Sequence, residues 1–281
     1  CGSGTDTVCQ PGKANPRCLN CKRKRQYTAE FSKAKDIRVS GRCKWKRTCI
    51  LIPQLRGVED MESINIHDYL TRPTISLNGK LMSNNFSPTR HKIPDQIKLD
   101  NNFMRLAGYF LAEGGINHQI RGELIAFSFG KTEQQYANEV VSLIKVIFGL
   151  DAKIREKDTA LSVEISSMIL GELLESLFGN GASNKKIPMI FLRLPIAKQI
   201  AMIETYIRGD GWHSDSEISM TTVSRSLAYS IRQILFRIGI IAAIRQREQV
   251  NGGYIGERKI SGKHTVFNID VSGHSAKILG K

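Results

Sequence analysis

Glu113 and Asp210 are the two side chains whose type and setting point most directly to chemistry. Each stands immediately before a glycine, at the end of an apolar segment rich in small residues. The segments read Leu106-Ala107-Gly108-Tyr109-Phe110-Leu111-Ala112-Glu113-Gly114 and Ile203-Glu204-Thr205-Tyr206-Ile207-Arg208-Gly209-Asp210-Gly211. The pattern predicts two helices that each stop at a C-cap glycine, Gly114 and Gly211. Gly108 with Ala112, and Thr205 with Gly209, are spaced i, i+4, so each helix offers a stripe of small side chains. Two such stripes facing each other let the backbones approach closely and set the two carboxylates at neighbouring helix ends. A carboxylate at a helix C-terminus opposes the helix dipole by about 0.3–1 kcal/mol, and two of them also repel each other. A hard divalent cation held by carboxylates, water and substrate phosphates resolves the conflict. Taken singly, either acid reads as a chance residue at a helix end. At equivalent points of a repeat, the two read together as a metal-binding pair.

The elements that must position these acids repeat as well. His91-Lys92-Ile93-Pro94 recurs as Lys185-Lys186-Ile187-Pro188, each about twenty residues before its acid-and-glycine segment. Beyond each acid comes a stretch with strand character (124–129 and 217–222). A long amphipathic helix follows, over 132–148 before Gly149 and over 224–238 before Gly239. The apolar positions Val140, Val141, Ile144 and Ile147, and Ile231, Ile234, Leu235 and Ile238, face a core by period and carry no chemistry. Ala152-Lys153-Ile154-Arg155 then aligns with Ala242-Ala243-Ile244-Arg245. Two equivalent halves on one chain predict an α+β molecule with pseudo-twofold symmetry.

Charge narrows the partner. The chain has 281 residues, 41 Lys+Arg against 26 Asp+Glu and a net charge of +15, more than a small anionic metabolite requires. A polyanion, with nucleic acid first, suits that excess. No apolar run approaches the roughly 18 residues of a membrane span, so no membrane partner is expected. With no secretory pattern at the N-terminus, the expected compartment is intracellular and reducing. The first 60 residues hold a net +9 of the charge and all six cysteines. Cys18 and Cys21 have the Cys-x2-Cys spacing of a tetrahedral metal site, and the wider pair Cys43 and Cys49 would complete it. Arg23, Arg25, Lys44, Trp45 and Lys46 lie beside them as phosphate-contacting and stacking candidates. The two readings of this segment are a small structural Zn²⁺ module that adds DNA affinity, and a solvated basic surface with reduced thiols. Residues 61–90, with turn signals at Pro73, Asn78-Gly79 and Pro88, read as a connector: either an arm that tracks a DNA groove or a surface loop.

Together the segments 106–114 and 203–211 resemble the two dodecapeptide motifs of LAGLIDADG homing endonucleases. Lys185-Lys186-Ile187-Pro188 resembles the basic block between those motifs in intein-type members, and 222–239 resembles the helix after the second motif. The resemblance covers about residues 90–281. It implies a pseudo-twofold pair of αββαββα units (91–182 and 183–281) whose motif helices form the central interface. Saddle-shaped antiparallel sheets would lie along the major groove of double-stranded DNA at a long, specific site. The small Cys-rich basic module (1–60) and the connector precede these units. The resemblance also implies a monomer that cleaves both strands across the minor groove with Mg²⁺ held by Glu113 and Asp210. Lys186 or Lys185 would stabilise the transition state, or contact phosphate. The second half's basic counterpart would fall at Lys277 or Lys281, or be absent. Candidate base-reading residues are Arg121, Ser128, Lys131, Lys153 and Arg155 in one half. Thr221, Arg245, Arg247, Arg258, Lys259 and Lys263 are their counterparts in the other.

The expected function is therefore a site-specific, metal-dependent DNA endonuclease of intein or intron origin. The alternatives are a DNA-binding or RNA-maturase protein of the same fold without cleavage, and the nuclease part of a self-splicing intein. Cys1 speaks for the last, and Ile278-Leu279-Gly280-Lys281, which is not the His-Asn of a splice junction, speaks against splicing by this chain. Removing residues 1–60 is expected to weaken DNA binding. It should also flatten the plot of log affinity against log salt by about 0.9 for each phosphate that those residues neutralise. A slope that stays the same in fluorescence-anisotropy titrations would place the basic segment off the DNA.

Overall fold

The computed structural model describes residues 61–83, 92–120, 122–214, 216–248, 254–255, 258–259 and 264–279, which belong to one compact unit spanning 52–281. The zinc and phosphate candidates Cys18, Cys21, Cys43, Cys49, Arg23, Arg25, Lys44, Trp45 and Lys46 lie outside the described residues, as do Arg121, Lys263 and Lys281.

Two αββαββα units follow each other along the chain. The first runs α1 (Asn101–Glu113), β6 (Gly114–Gln119), β7 (Gly122–Gly130), α2 (Gln134–Phe148), β8 (Lys153–Glu156), β9 (Ala160–Ser166) and α3 (Met168–Phe178). The second runs α4 (Ile196–Asp210), β10 (Gly211–His213), β11 (Glu217–Thr222), α5 (Arg225–Arg237), β12 (Ala243–Glu248), β15 (Thr265–Ser272) and α6 (His274–Leu279). A short hairpin, β13 (Tyr254–Ile255) with β14 (Arg258–Lys259), lies between β12 and β15. The sheets have matching antiparallel orders, β6-β7-β9-β8 and β10-β11-β15-β12. Strand alternation buries one face of each sheet. Ile125, Phe127, Phe129, Val163 and Ile165 meet the core in the first, as do Ile218, Met220, Ile269 and Val271 in the second. Val140 and Ile144 of α2, and Ile231, Ile234 and Leu235 of α5, are buried with them, as their period predicts.

Helix starts follow local chemistry. Asp100 caps α1 by accepting from the Phe103 N–H at 3.0 Å, Ser167 caps α3 at Leu170 N, and Ser224 caps α5 at Leu227 N. The motif helices stop at the expected C-cap glycines. Gly114 and Gly211 have extended backbones (φ −81 and −95), so they are not left-handed C-caps. Glycine is needed there for room, because a Cβ on Gly114 would stand 2.7 Å from the Phe110 carbonyl oxygen and one on Gly211 2.7 Å from Ile207 Cγ2. The chain passes directly from helix into the first strand of each sheet.

Residues before the repeats are built into the body and do not form a bare connector. β1 (Ser63–Asn65) pairs with β5 (Gln96–Lys98). β2 (Thr74–Leu77) and β3 (Lys80–Ser83) form a hairpin through Asn78 and Gly79, both at positive φ, and β3 also pairs with β4 (Ile93–Pro94). Ile64, Ile66, Leu81, Ile93 and Ile97 are buried in the common core. Arg72 donates to the buried Glu123 at 3.0 Å, and Thr71 N–H donates to Glu172 of α3 at 2.7 Å. The apparent repetition of Ile93-Pro94 in Ile187-Pro188 is one of sequence alone, since the first pair is in a strand and the second in the irregular segment before α4.

The α1–α4 crossing holds the halves together. A Cβ on Gly108 would fall on Thr205 Oγ1 and the Met202 carbonyl, and one on Gly209 would stand 2.6 Å from Ala112 Cβ. Thr205 Oγ1 donates across the crossing to the Arg105 carbonyl at 2.9 Å. Gly108→Ala is therefore expected to destabilise the protein by roughly 1–3 kcal/mol, because the obstacle includes backbone. Gly115→Ala, where a Cβ meets nothing within 4 Å, should be near neutral in the same urea titrations. Equal effects would contradict the close packing.

Candidate catalytic centre

Glu113 and Asp210 are the last residues of α1 and α4, and the crossing brings the helix ends together. Glu113 lies against Gly209: a Cβ on that glycine would stand 3.0 Å from Glu113 Cγ and 3.2 Å from its Oε1. The close approach of the backbones thus places one carboxyl from each half in one partly buried setting. Burial pushes Glu113 up to about 7, the negative charges of Asp210 and Glu133 add to the rise, and Lys185 opposes it. Burial likewise pushes Asp210 up to about 6, against the pull of the Tyr206 hydroxyl and Lys185. Both acids therefore resist ionisation unless positive charge arrives.

Lys185 supplies part of that charge, but from behind. Its side chain is buried, its Nζ donates to the carbonyls of Phe110 and Gly114 (2.7 Å to the latter), and it lies 3.7 Å over the Phe110 ring. It closes the last turn of α1 as a cationic cap. Burial lowers its pKa to about 7 even though Asp210 and Glu113 favour the charged form. Its own carbonyl accepts from Ser224 Oγ at 2.5 Å, which ties the start of α5 to the same point. Lys186, its neighbour, is exposed and fixed through its backbone N–H to the Phe178 carbonyl at 2.9 Å. Of the two lysines, only Lys185 is thus built into the centre. Lys277 falls within α6, on the far side of β15 in sequence.

Two tyrosines at equivalent points of the motifs, each four residues before its acid, were not singled out by sequence reading. Tyr109 donates to Glu139 of α2 at 2.8 Å. Glu139 also accepts from Arg105 Nε at 2.6 Å and pairs with Arg208 of α4 at 3.4 Å, so one carboxylate joins both halves. The Tyr206 hydroxyl is fully buried and makes no hydrogen bond of standard geometry, although it faces the Asp210 carboxyl. The shared position within the motif was the signal that could have found both.

The fit to a metal follows from the donor set. Among the described residues no group of three or more His, Cys, Asp or Glu side chains converges. Two hard carboxylate donors with elevated pKa values suit a divalent ion that keeps water and takes phosphate oxygens for its other positions.

Several of the remaining candidates are exposed on the sheets' outer faces. Ser128 is exposed on β7, Lys153 and Arg155 on β8, Thr221 on β11, and Arg245 and Arg247 on β12. Arg258 and Lys259 form β14 of the short hairpin. Lys131 follows β7 and pairs with Glu156 at 3.3 Å. Ser128 and Thr221 stand nearest the acids in register, one step beyond the Gly114–Phe127 and Gly211–Met220 pairs.

A family model described as a LAGLIDADG-like domain matches residues 100–177 and 197–267. An uncharacterized protein of Methanocaldococcus jannaschii is 30% identical over 277 residues, 96% of this chain and 31% of that protein. The ATP-dependent DNA helicase Hel308 of Thermococcus kodakarensis is 26% identical over 198 residues, 67% of this chain and 17% of the helicase. An iron-sulfur cluster assembly SufBD family protein of Mycobacterium tuberculosis is 28% identical over 179 residues, 62% of this chain and 21% of that protein. The chain thus spans a third or less of the length of these relatives. Among solved structures, mesophilic variants of the homing endonuclease I-DmoI match with a TM-score of 0.48 at 14% identity, over 64% of this chain and 93% of that one. I-DmoI in complex with DNA and Mn matches with a TM-score of 0.45 at 16% identity, over 62% and 90%.

The raised carboxyl pKa values have a consequence for stability. The folded state binds more protons than the unfolded chain between about pH 4 and pH 7. Metal-free protein therefore loses stability as pH rises through that window. The lowered pKa of Lys185 acts oppositely, adding stability as pH rises above about 7. In chelating buffer, Glu113→Gln should melt at a higher temperature than the parent near pH 7.5, with the gap closing near pH 4.5. A gap of the same size at both pH values would contradict the assignment.

Proposed function

The chain belongs to the LAGLIDADG-like domain family, and on that premise we propose that it is a site-specific DNA endonuclease. It would act as a monomer, making a double-strand break by metal-dependent hydrolysis of phosphodiesters across the minor groove. The observation that carries the reading is the meeting of Glu113 and Asp210, one from each half, at the buried ends of crossed helices where neither ionises readily alone. A stability-driven fold has no use for that arrangement. A centre that binds cation and phosphate together does.

In this reading Glu113 and Asp210 hold the divalent ion, Mg²⁺ in the family pattern. Bound there, it would stabilise charge on a phosphoryl oxygen and lower the pKa of its water. The rest is done by the chain itself. The small-residue crossing fixes the two carboxyls relative to one another, and each half supplies one. Lys185 holds the last turn of α1, so the Glu113 carboxyl keeps its place when the neighbouring charge changes. Elevated pKa values mean that protons leave these carboxyls as the cation arrives. The outer sheet faces, with Arg155, Lys153, Arg245 and Arg247, supply the contacts along the groove.

The relatives support a mobile origin. Similar segments make up about a fifth of a DNA helicase and of an iron-sulfur assembly protein, which share no function in their names. A segment homed into unrelated genes, as an intein or intron product, fits that distribution. The Cys18, Cys21, Cys43 and Cys49 cluster belongs to this reading as a structural Zn²⁺ module adding affinity.

One observation favours a second reading, a DNA-binding protein of the same fold that does not cleave. The Lys185 ammonium is engaged by helix carbonyls, which leaves no other buried cation beside the carboxyls among the described residues. Plasmid cleavage separates the two. The proposal expects linearisation of a target plasmid in Mg²⁺ that Glu113→Gln and Asp210→Asn each abolish, while target affinity is retained in gel-shift assays. If both variants still linearise the plasmid, the carboxyl assignment is wrong. If the parent binds a defined site and never cuts it, the second reading stands.

A further inference from the structure

The same polar device is built twice on the outer sheet faces, away from the helices. In the first half, Arg155 stands opposite Ser162, and its Nε reaches diagonally to Oε2 of Glu164 at 2.7 Å. In the second, Arg245 stands opposite Asn268, and its Nε reaches diagonally to Oδ2 of Asp270, also at 2.7 Å. The registers match, since each acid lies two residues beyond the arginine's cross-strand neighbour, opposite Lys153 in one sheet and Ala243 in the other. A serine grips the other carboxylate oxygen in both halves: Ser162 Oγ donates to Glu164 at 3.1 Å, and Ser219 Oγ to Asp270 at 2.8 Å. Lys157, 3.7 Å from Glu164, and Glu217, 3.9 Å from Arg245, stand farther off. The acids are mostly covered, with 16% and 8% of the side chain exposed, whereas the arginines stand 63% and 67% exposed.

A carboxylate on a surface meant for phosphates lowers non-specific affinity. Its placement at equivalent points of both halves points to a gain of another kind. Held at Nε by an acid that a serine fixes in turn, a guanidinium has its direction set and can turn its terminal nitrogens, one of which in Arg245 has Glu217 at 3.9 Å, to a second, planar partner. The guanine edge, with its O6 and N7 acceptors, is the base edge that matches such a fork. Ordering the long side chain before binding also removes a cost that complex formation would otherwise carry.

We propose that Glu164 and Asp270 are positioning residues that aim Arg155 and Arg245 at guanines, one in each half of the DNA site. The two base pairs so read are the quasi-symmetric specificity determinants of the target. The inference rests on the DNA-binding reading above and adds to it which residues set sequence preference.

Selection of bound sequences from a randomised duplex library tests it, using the full chain and its Glu164→Gln and Asp270→Asn variants at one salt concentration. The parent should select guanine at two positions, one on each side of the site's centre. Each variant should lose about tenfold of that preference at its own position only. Its binding to random duplex should be unchanged or tighter, because a negative charge has gone. Thermal melting checks that the variants fold. Should one fail, Arg155→Lys and Arg245→Lys keep the charge, lose the fork, and should show the same positional loss. If the parent selects a defined site and these variants keep its guanine preferences, the inference is overturned and the DNA-binding reading survives. If the parent selects no sequence at all, both fall.

Discussion

Everything in this molecule depends on how closely two helices pass. At the α1–α4 crossing, Gly108 and Gly209 leave no space for a Cβ, and Thr205 bonds to the opposite helix's backbone. Bulkier stripes would hold the axes apart and separate the chain ends that follow. Because the helices end where they cross, the approach carries Glu113 and Asp210 together. The glycines after them, extended and hemmed in by the preceding turn, send the chain at once into the first strand of each sheet. Packing, sheet placement and the unfavourable meeting of two carboxyls are therefore one geometric fact.

Around that fact the two halves divide their polar groups by face. The side toward the helices is apolar, and several charges among its described residues are engaged. Lys185 closes α1, Glu139 joins Arg105, Tyr109 and Arg208 across the halves, and Glu123 anchors Arg72. The outer side carries the paired arginines and carboxylates, in matching register on both sheets. The fold thus keeps its charge conflict at one place, the helix ends, where a cation and a polyanion can act on it together.

How much of this was legible in the sequence follows from the range of the interactions. The repeat, the motif helices and the acids at their ends were readable because they rest on spacing within a dozen residues. The strand over 217–222 and the helices before Gly149 and Gly239 were readable for the same reason. Gly114 and Gly211 were readable as helix stops but not their extended backbone, because a left-handed cap and a steric gap call for the same residue. The Ile-Pro repetition misled, since a short motif does not say whether a strand is beside it to pair with. Residues 61–90 read as a connector, although Ile64, Ile66 and Leu81 within them are core. Lys185 was chosen for its charge, but its role as a buried cap depends on a carbonyl 75 residues away. The Arg155–Glu164 and Arg245–Asp270 pairs join neighbouring strands diagonally, so only the register reveals them.

The central claim is that Glu113 and Asp210 form one partly protonated pair that a divalent cation makes ionise. Calorimetric titration of the protein with Ca²⁺ near pH 6.5, in two buffers of different ionisation enthalpy, measures the protons that leave on binding. The account predicts saturable binding with net proton release, and loss of that release when both acids are replaced by their amides. Binding that releases no proton, or a release that persists without the two carboxyls, would contradict it.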